Sequence, residues 1–588
     1  MNRNCISLST SMVALLLCVA PSFAVDDNDW PTFRGADRTG VARDTGLLKA
    51  WPSDGPELVW EATGAGKGYS SVAVAAGRVY TLGNGLSTAS DDDEYLTCFD
   101  ASNGKQIWAS KTGPAINDRR RASWGSSRST PTVDADRVYV VTPEGKLVCV
   151  STAGKELWRV DFKKDFGGKK ADSWGYSESV LVDGDNVICT PGGTKSTMVA
   201  LNKMTGEKVW SVVRDGDRGA GHASVVASTV GSTRVYVQTT GSGALGVRAS
   251  DGKLMWSYEI DRTTAVIPTP IVRGDLVFFS AGYNRGGALL RQVADGDSVT
   301  MKEIYPLKKP LNNKHGGIVL VGDYLYGDSN DKGIPFCADL MTGEVKWQSR
   351  GSGKGSASVA AADGYLYIRY TSGHMTLVKA DPAEMKESGS FKVPGSGKLP
   401  SWAHPVIADG RLYLREGDSV LCYNISGGAA GSKSAKTDGE MLPNGGFAGG
   451  SEGWVLSQLE DAAAKMAVVN EGPKGIPAAK LEVEAGGDES WHVQMHSTDL
   501  PIVKDTQYVL KFWAKAKSYS TIAVNCMQNH EPWEHSTSKN FDVSTEWEQF
   551  EFAFTGPWDD EKGRVTFTNL GNYDGQVFWF AGCSLTSK

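Results

Sequence analysis

Nine cysteines are spread through 588 residues with no Cys-x-x-Cys motif and no two adjacent, so the sequence carries no signature of a thiolate metal site or a haem attachment. Two of them lie in the first 24 residues, and the odd number left argues against a disulfide framework. Cys98, Cys149, Cys337 and Cys422 recur at equivalent places in a repeat, which suits small buried hydrophobes. Basic charge is also short. Lys and Arg total 61 against 68 Asp and Glu, the formal net charge is −7, and the longest basic run is Arg119-Arg120-Arg121. Nucleic acid is therefore not an expected partner. No metal-ligand set emerges from the eight histidines. His492 and His496, like His530 and His535, are near in sequence, but positions i and i+4 of a strand stand about 13 Å apart. After residue 24 no apolar run is long enough to span a bilayer as a helix.

Glycine, with 69 residues, and tryptophan, with 18, are what the chain has in quantity, and both recur in one phrase. A short β run, a second strand, a Gly-containing turn and usually a closing Trp appear in Cys98 to Trp108, Cys149 to Trp158, Ala200 to Trp210, Val247 to Trp256 and Cys337 to Trp347. Weaker units span Leu276 to Ile304, Leu366 to Phe391 and Leu412 to Ile425, for eight units between Ala76 and Ser426. Units of this length with tight turns are propeller blades rather than helical repeats, so an eight-bladed β-propeller is expected over residues 56–426. A Trp fixed in each blade buries roughly 200 Å² between neighbouring sheets, at most about 5 kcal/mol apiece. Pro56 to Glu61 has the closing strand and Trp60 but no blade in front of it. It is expected to supply the outer strand of the last blade, closing the ring with both chain ends.

Residues 1–24 have the form of a secretory signal peptide: Arg3, an apolar stretch from Met12 to Ala20, and small Ser22 and Ala24 before the cleavage point. Its removal takes the net charge from −7 to −8 through loss of Arg3. A periplasmic, cell-surface or extracellular location follows, with residues 25–55 as a lead-in. Residues 427–441 are Gly-, Ser- and Lys-rich and read as a flexible linker. Beyond it, residues 442–588 alternate differently, with Tyr508/Leu510/Phe512, Phe550/Phe552/Phe554 and Val565/Phe567 each on one face of a longer strand, as in a β-sandwich.

The phrases Leu201 to Trp210 and Ala338 to Trp347 resemble the repeat of the pyrroloquinoline-quinone-like (PQQ-like) propeller family, which includes quinone-dependent alcohol and sugar dehydrogenases and non-catalytic scaffolds. Asp29 to Gly40 (DWPTFRGADRTG) resembles the lead-in of secreted bacterial members. For the dehydrogenases the resemblance implies a quinone between a Trp and a disulfide of adjacent cysteines, beside Ca²⁺. This chain has no such cysteine pair, and no cofactor or metal is assigned. Residues 443–588 resemble the carbohydrate-binding jelly rolls found beside glycoside hydrolases, from Asn444-Gly445-Gly446-Phe447 to Ser584-Leu585, although the acidic residue used there for structural Ca²⁺ is Ala581.

Two candidate sites follow. Sugars stack on flat aromatic faces and exchange hydrogen bonds with amide and imidazole groups. In the second domain, alternation turns Val493 and Met495 inward and His492, Gln494 and His496 outward, while Gln528, Trp533 and His535 follow in a polar segment that resembles the family's cleft. Trp491 shares the parity of Val493 and is expected in the core. Trp558 is expected as a cleft rim or a loop anchor. In the propeller, aligning the blades places Tyr69, Trp124, Trp174, Tyr176, His222, His315, Trp402 and His404 at the mouth of the channel. No Ser-His-Asp set can be drawn from spacing. The leading expectation is a secreted, non-catalytic scaffold or binding protein tethered to polysaccharide, with an envelope or secreted protein as a further partner. The alternatives are a quinone-dependent dehydrogenase and a glycan-cleaving protein.

Overall fold

The computed structural model describes residues 28–85, 93–116, 126–397, 399–427 and, apart from 443, 448–449, 452, 470, 474–475 and 537, residues 441–587. The expected signal peptide at residues 1–24, Arg119 to Arg121, Trp124 and most of the expected linker lie outside the described residues. These residues fall into two compact units divided at 430/431. Among them no helix is long and apolar enough to cross a membrane.

The first unit is all-β and holds eight four-stranded antiparallel sheets. Their first strands are Ala73–Ala75, Thr132–Asp134, Leu181–Asp183, Val226–Val230, Ile271–Arg273, Val319–Val321, Ala357–Ala362 and Val406–Ala408. The last sheet takes its outer strand from the beginning of the chain, Glu57–Thr63 paired with Ser419–Asn424, as expected from the orphan Trp60 phrase. The repeated Trp is a clasp. Trp60, Trp108, Trp158 and Trp210 each donate their indole N–H to a carbonyl in the turn of the next sheet, at Ala101, Thr152, Lys203 and Ala249, over 2.9–3.1 Å. The glycine of that turn lies on the ring. A Cβ at Gly104 would come within 2.6 Å of Trp60, and one at Gly252 within 2.5 Å of Trp210, so the repeat needs glycine and Trp together. The seven described cysteines are free and buried.

The lead-in bridges several of these sheets. Trp30 exchanges backbone hydrogen bonds with Val74, Pro31 accepts from the Val133 amide, and Ala42 bonds Ala361. Two buried guanidinium groups peg it down without any acidic partner in hydrogen-bond contact. Arg34 donates to the carbonyls of Gly316 (3.1 Å), Ile318 (2.5 Å) and Thr39 (2.6 Å), and Arg38 to those of Ser179 (2.6 Å) and Val180 (2.9 Å). Burial lowers both to about 10, which still leaves them charged at neutral pH.

Buried Glu94 accepts hydrogen bonds from the Thr112 and Ser127 hydroxyls, and burial raises its carboxyl to about 7. The folded chain thus binds a proton here that the unfolded chain gives up near pH 4.5, and this group's contribution to stability falls as pH rises from there through 7. Glu94→Gln is expected to melt above wild type at pH 8, by at most about 3 kcal/mol, and to match it at pH 5 in thermal denaturation.

The second unit packs two antiparallel sheets face to face. One contains Trp454–Gln458, Val493–Ser497, Asp560–Thr568, Ser520–Gln528, Lys539–Val543 and the short Leu500–Ile502. The other contains Ala463–Val469, Ala478–Ala485, Val577–Ser587, Gln507–Ala516 and Glu548–Thr555. Tyr508, Leu510, Phe512, Phe552, Phe554, Val565 and Phe567 fill the core between them, with Phe550 half-buried against it.

Candidate functional sites

A cavity of about 280 Å³ lies among the segments that lead into the sheets of the first unit. Its wall has a simple register. Tyr69, Arg128, Ser177, His222, Ile267, His315 and Trp402 each stand four residues ahead of the first strand of their sheet, and all seven line the cavity. Ser71, Thr130, Ser179 and His404, two residues ahead, form a second tier, since i and i+2 share one face of an extended chain. Hydroxyls of this tier stitch neighbouring sheets: the amides of Thr130, Ser179 and Ser224 donate to the side chains of Ser179, Ser224 and Thr269 at 2.9–3.0 Å, and Ser71 Oγ donates to the His404 carbonyl at 2.7 Å. Phe33 of the lead-in lines the cavity from below, edge-on to His404 at 5.0 Å.

Of the residues expected at the mouth, Tyr69, Trp174, His222, His315, Trp402 and His404 line the cavity. Tyr176 does not. It is buried ahead of its sheet, its hydroxyl donates to the Pro191 carbonyl at 2.9 Å, and its ring packs edge-on against Phe162. The position belongs to Ser177, one residue on. Sequence reasoning also missed Phe33, Tyr283, Lys314 and the tier of hydroxyls. Counting back two residues from each first strand would have found the hydroxyls, whereas Phe33, Tyr283 and Lys314 stand outside that register.

Aromatic rings form much of the wall, with Tyr69 and His315 both against Trp402 at 4.8 and 5.0 Å. The two charged lining residues among those described are cationic. Arg128 donates to the Trp174 carbonyl and lies over Tyr69, while Lys314 lies over Tyr283 and pairs with Asp331. Burial, and after it the charge of Lys314, lowers His315 to about 4; burial and the charge of Arg34 lower His404 to about 3. Both rings are neutral at pH 7. His222 carries a further arrangement: Ser177 Oγ lies 2.5 Å from Nδ1, and Asp172 Oδ2 lies 2.8 Å from Nε2. The Trp174 amide holds the other Asp172 oxygen at 3.0 Å. Burial, then the ammonium of Lys170, lowers His222 to about 4. Burial opposes the charge on Asp172, but the His222 ring, Lys170 and the Trp174 amide outweigh it and hold the carboxyl below its usual range. An ionised Asp172 takes the Nε2 proton as donor, which leaves Nδ1 to accept from the Ser177 hydroxyl.

The second site lies on the outer face of the six-stranded sheet. Val493 and Met495 are in the core, as alternation requires, and Gln494 and His496 lie on the opposite face. His496 pairs across the sheet with Thr566, which pairs with Asn525. Burial lowers His496 to about 4, so its neutral ring donates from Nδ1 to the Ser497 carbonyl and accepts the Ser457 hydroxyl at Nε2, each at 2.9 Å. Arg564 organises the neighbouring end. It reaches Gln494 Oε1 at 3.3 Å and Asn529 Oδ1 at 3.1 Å, and its guanidinium lies 5.6 Å from the ring centre of Trp533. Trp533 is 47% exposed and holds a φ of +61°, which a bulky residue keeps only where its loop over-determines it. Along this face Asn525 Oδ1, Thr566 Oγ1, Thr568 Oγ1 and Arg564 Nε are buried without a hydrogen-bond partner among the described residues.

Gln528 closes the Trp533 loop by accepting the Glu534 amide at 3.2 Å, and His535 is exposed with Nδ1 donating to the Ser536 carbonyl. His492 departs from expectation. It precedes the strand, is buried, and packs into the Gly487 turn with its ring edge-on to Trp491 at 4.6 Å. Trp491 is a second correction: it lies in the turn ahead of the strand, where alternation does not apply, and is 46% exposed rather than in the core. Trp558 packs half-buried against the core.

Residues 92–349 match the family described as outer membrane protein assembly factor BamB, and residues 439–573 match the family described as carbohydrate binding domain. The chain therefore combines a PQQ-like repeat domain with a carbohydrate-binding domain. No curated protein matches it. Among solved structures it is similar to quinohemoprotein alcohol dehydrogenase from Comamonas testosteroni, at 14% identity over 69% of this chain and 81% of that one, with a TM-score of 0.48. BamB from Moraxella catarrhalis aligns at 14% identity over 64% and 94%, TM-score 0.39, and a CBM4 structure at 23% identity over 25% and 99%, TM-score 0.23. The quinone and Ca²⁺ that the sequence resemblance implies for dehydrogenase members find no matching side chains among the described residues that line this cavity. Among the described residues the lining has no carboxylate, amide or cysteine side chain, and no three His, Cys, Asp or Glu side chains converge to hold a metal.

Proposed function

We propose that this is a secreted, polysaccharide-targeted propeller protein. In this reading the eight four-stranded sheets are the blades of one ring, which presents the aromatic, cationic cavity, and the C-terminal unit is a jelly roll that holds a glycan on its polar sheet face. The observation that carries it is the set of Asn525 Oδ1, Thr566 Oγ1, Thr568 Oγ1 and Arg564 Nε on the face that holds the exposed Trp533: buried acceptors and a donor without a partner among the described residues, next to an exposed ring, are what a polyhydroxylated ligand satisfies. The match of residues 439–573 to a carbohydrate-binding family supports the same ligand class. Secretion rests on the leader-like residues 1–24, and the linker around 427–441 gives the two units separate roles.

Affinity electrophoresis of the full chain through gels containing a panel of polysaccharides tests the proposal. At least one polysaccharide is expected to retard the wild type, with Gln494→Ala and Trp533→Ala retarded about tenfold more weakly. Unretarded migration through every polysaccharide would refute glycan targeting.

A further inference from the structure

The cavity at the propeller mouth contains a relay that holding a ligand does not require. Two His–Ser pairs lie there, His222 with Ser177 and His315 with Ser356, both with Nδ1 to Oγ distances of 2.5 Å. Among the described residues only His222 also has a carboxylate on its second ring nitrogen, Asp172 at 2.8 Å. Ser177 and His222 line the cavity, whereas Asp172 is set behind them, its side chain only 6% exposed. A serine hydroxyl facing a substrate-sized space, a neutral imidazole to take its proton and a shielded carboxylate to fix the ring are the parts of an activated nucleophile. The ring nitrogens exchange their usual roles, which the chemistry permits because either nitrogen can accept while the other donates.

We propose that Ser177 is a nucleophile with His222 as its general base and Asp172 as the positioning residue, and that the cavity hydrolyses O-acyl esters of carbohydrates. Ser177 Oγ attacks the ester carbonyl carbon while its proton passes to His222 Nδ1. Collapse of the adduct breaks the bond to the sugar oxygen, which takes that proton and leaves as a hydroxyl, with the acyl group on Ser177. Water then gives a proton to Nδ1 and attacks the acyl-serine. The carboxylic acid departs and Oγ recovers its proton, so the cycle consumes water alone. Asp172 stabilises the imidazolium formed in each half, and Arg128 and Lys314 bring positive charge to the same space as negative charge develops on the carbonyl oxygen. Tyr69, Trp174 and Trp402 offer faces for a pyranose, and about 280 Å³ suits one sugar ring with a small acyl group. The carbohydrate part rests on the glycan-targeting proposal above, and the catalytic part departs from the non-catalytic scaffold expected from the sequence.

The full chain treated with a fluorophosphonate probe, followed by peptide mapping, tests the nucleophile. Ser177 is expected to be the labelled residue, and the same protein is expected to release acetate from an O-acetylated polysaccharide. Ser177→Ala should abolish both, and Asp172→Asn should slow labelling at least about 100-fold with thermal melting unchanged. Asp172, Lys170 and Arg128 are the charged groups that face His222, and they leave it neutral down to about pH 4. Labelling should accordingly hold steady from pH 8 to 5 and fall only below about 4. Absence of label on Ser177 in protein that melts cooperatively, or label on another residue alone, overturns the proposal. Ser177→Ala is expected to be retarded by polysaccharide like wild type, so failure of the esterase and failure of glycan targeting are read separately.

Discussion

Arg34→Ala is expected to destabilise the propeller by about 4 kcal/mol, more than any other single change considered for that unit. The side chain makes three charge-assisted hydrogen bonds from a buried position, each worth about 1.5–3 kcal/mol, and its removal strands the carbonyls of Gly316 and Ile318. Part of that loss is returned, because the truncated residue no longer keeps a guanidinium out of water. Thermal denaturation should show a midpoint lower by about 5 °C or more. Arg34→Lys should recover only a fraction, since one ammonium cannot reproduce the planar fork that spans these carbonyls. Because Phe33 lines the cavity next to this anchor, the alanine variant should lose ligand-dependent stabilisation as well. A midpoint within 1 °C of wild type would mean that the lead-in contributes nothing to holding the ring.

The second large effect concerns the C-terminal unit. Arg564→Ala removes the partner of Gln494 Oε1 and Asn529 Oδ1 and the cation beneath Trp533 at one stroke. Affinity for the retarding polysaccharide should fall at least tenfold, about 1.4 kcal/mol. The mechanism predicts that Arg564→Lys fails to restore it, because an ammonium supports neither the paired contacts nor the flat stack. Circular dichroism should report an unchanged fold, as this residue lies on the polar face and the core lies behind it. Unaltered affinity in the alanine variant would place the glycan elsewhere.

Much of the architecture was legible because it rests on residues that have few substitutes. The Trp clasp needs an indole N–H and a glycine beneath the ring, so Trp60, Trp108, Trp158 and Trp210 announce their sheets. The six mouth residues read correctly are large aromatics and imidazoles that stand out by type. Tyr176 misled for that same reason: the register points to Ser177, a residue with no distinction in sequence. The Asp172, Ser177 and His222 relay joins two different sheets through loops of their own lengths, so no fixed spacing marks it. The pegs Arg34 and Arg38 bind backbone carbonyls, which any residue supplies. At His492 and Trp491 parity was applied one turn too early, before the strand begins at Val493.

The strand Glu57–Thr63 belongs to the last sheet, and Asp44 bonds the Gly410 amide across a sequence separation of 366 residues. Closing so long a loop costs about 3 kcal/mol more entropy than closing one of ten residues, and nothing is gained until both ends are present. The seven internal sheets can form from local hairpins as the chain emerges, whereas Asp44 and Glu57–Thr63 must wait for the last. Between those events stands an open arc with two bare strand edges, the species most exposed to pairing with another molecule. Joining the last sheet to Glu57–Thr63 is accordingly the slow, topologically demanding step of maturation, and a strand made early is among the last to find its partner.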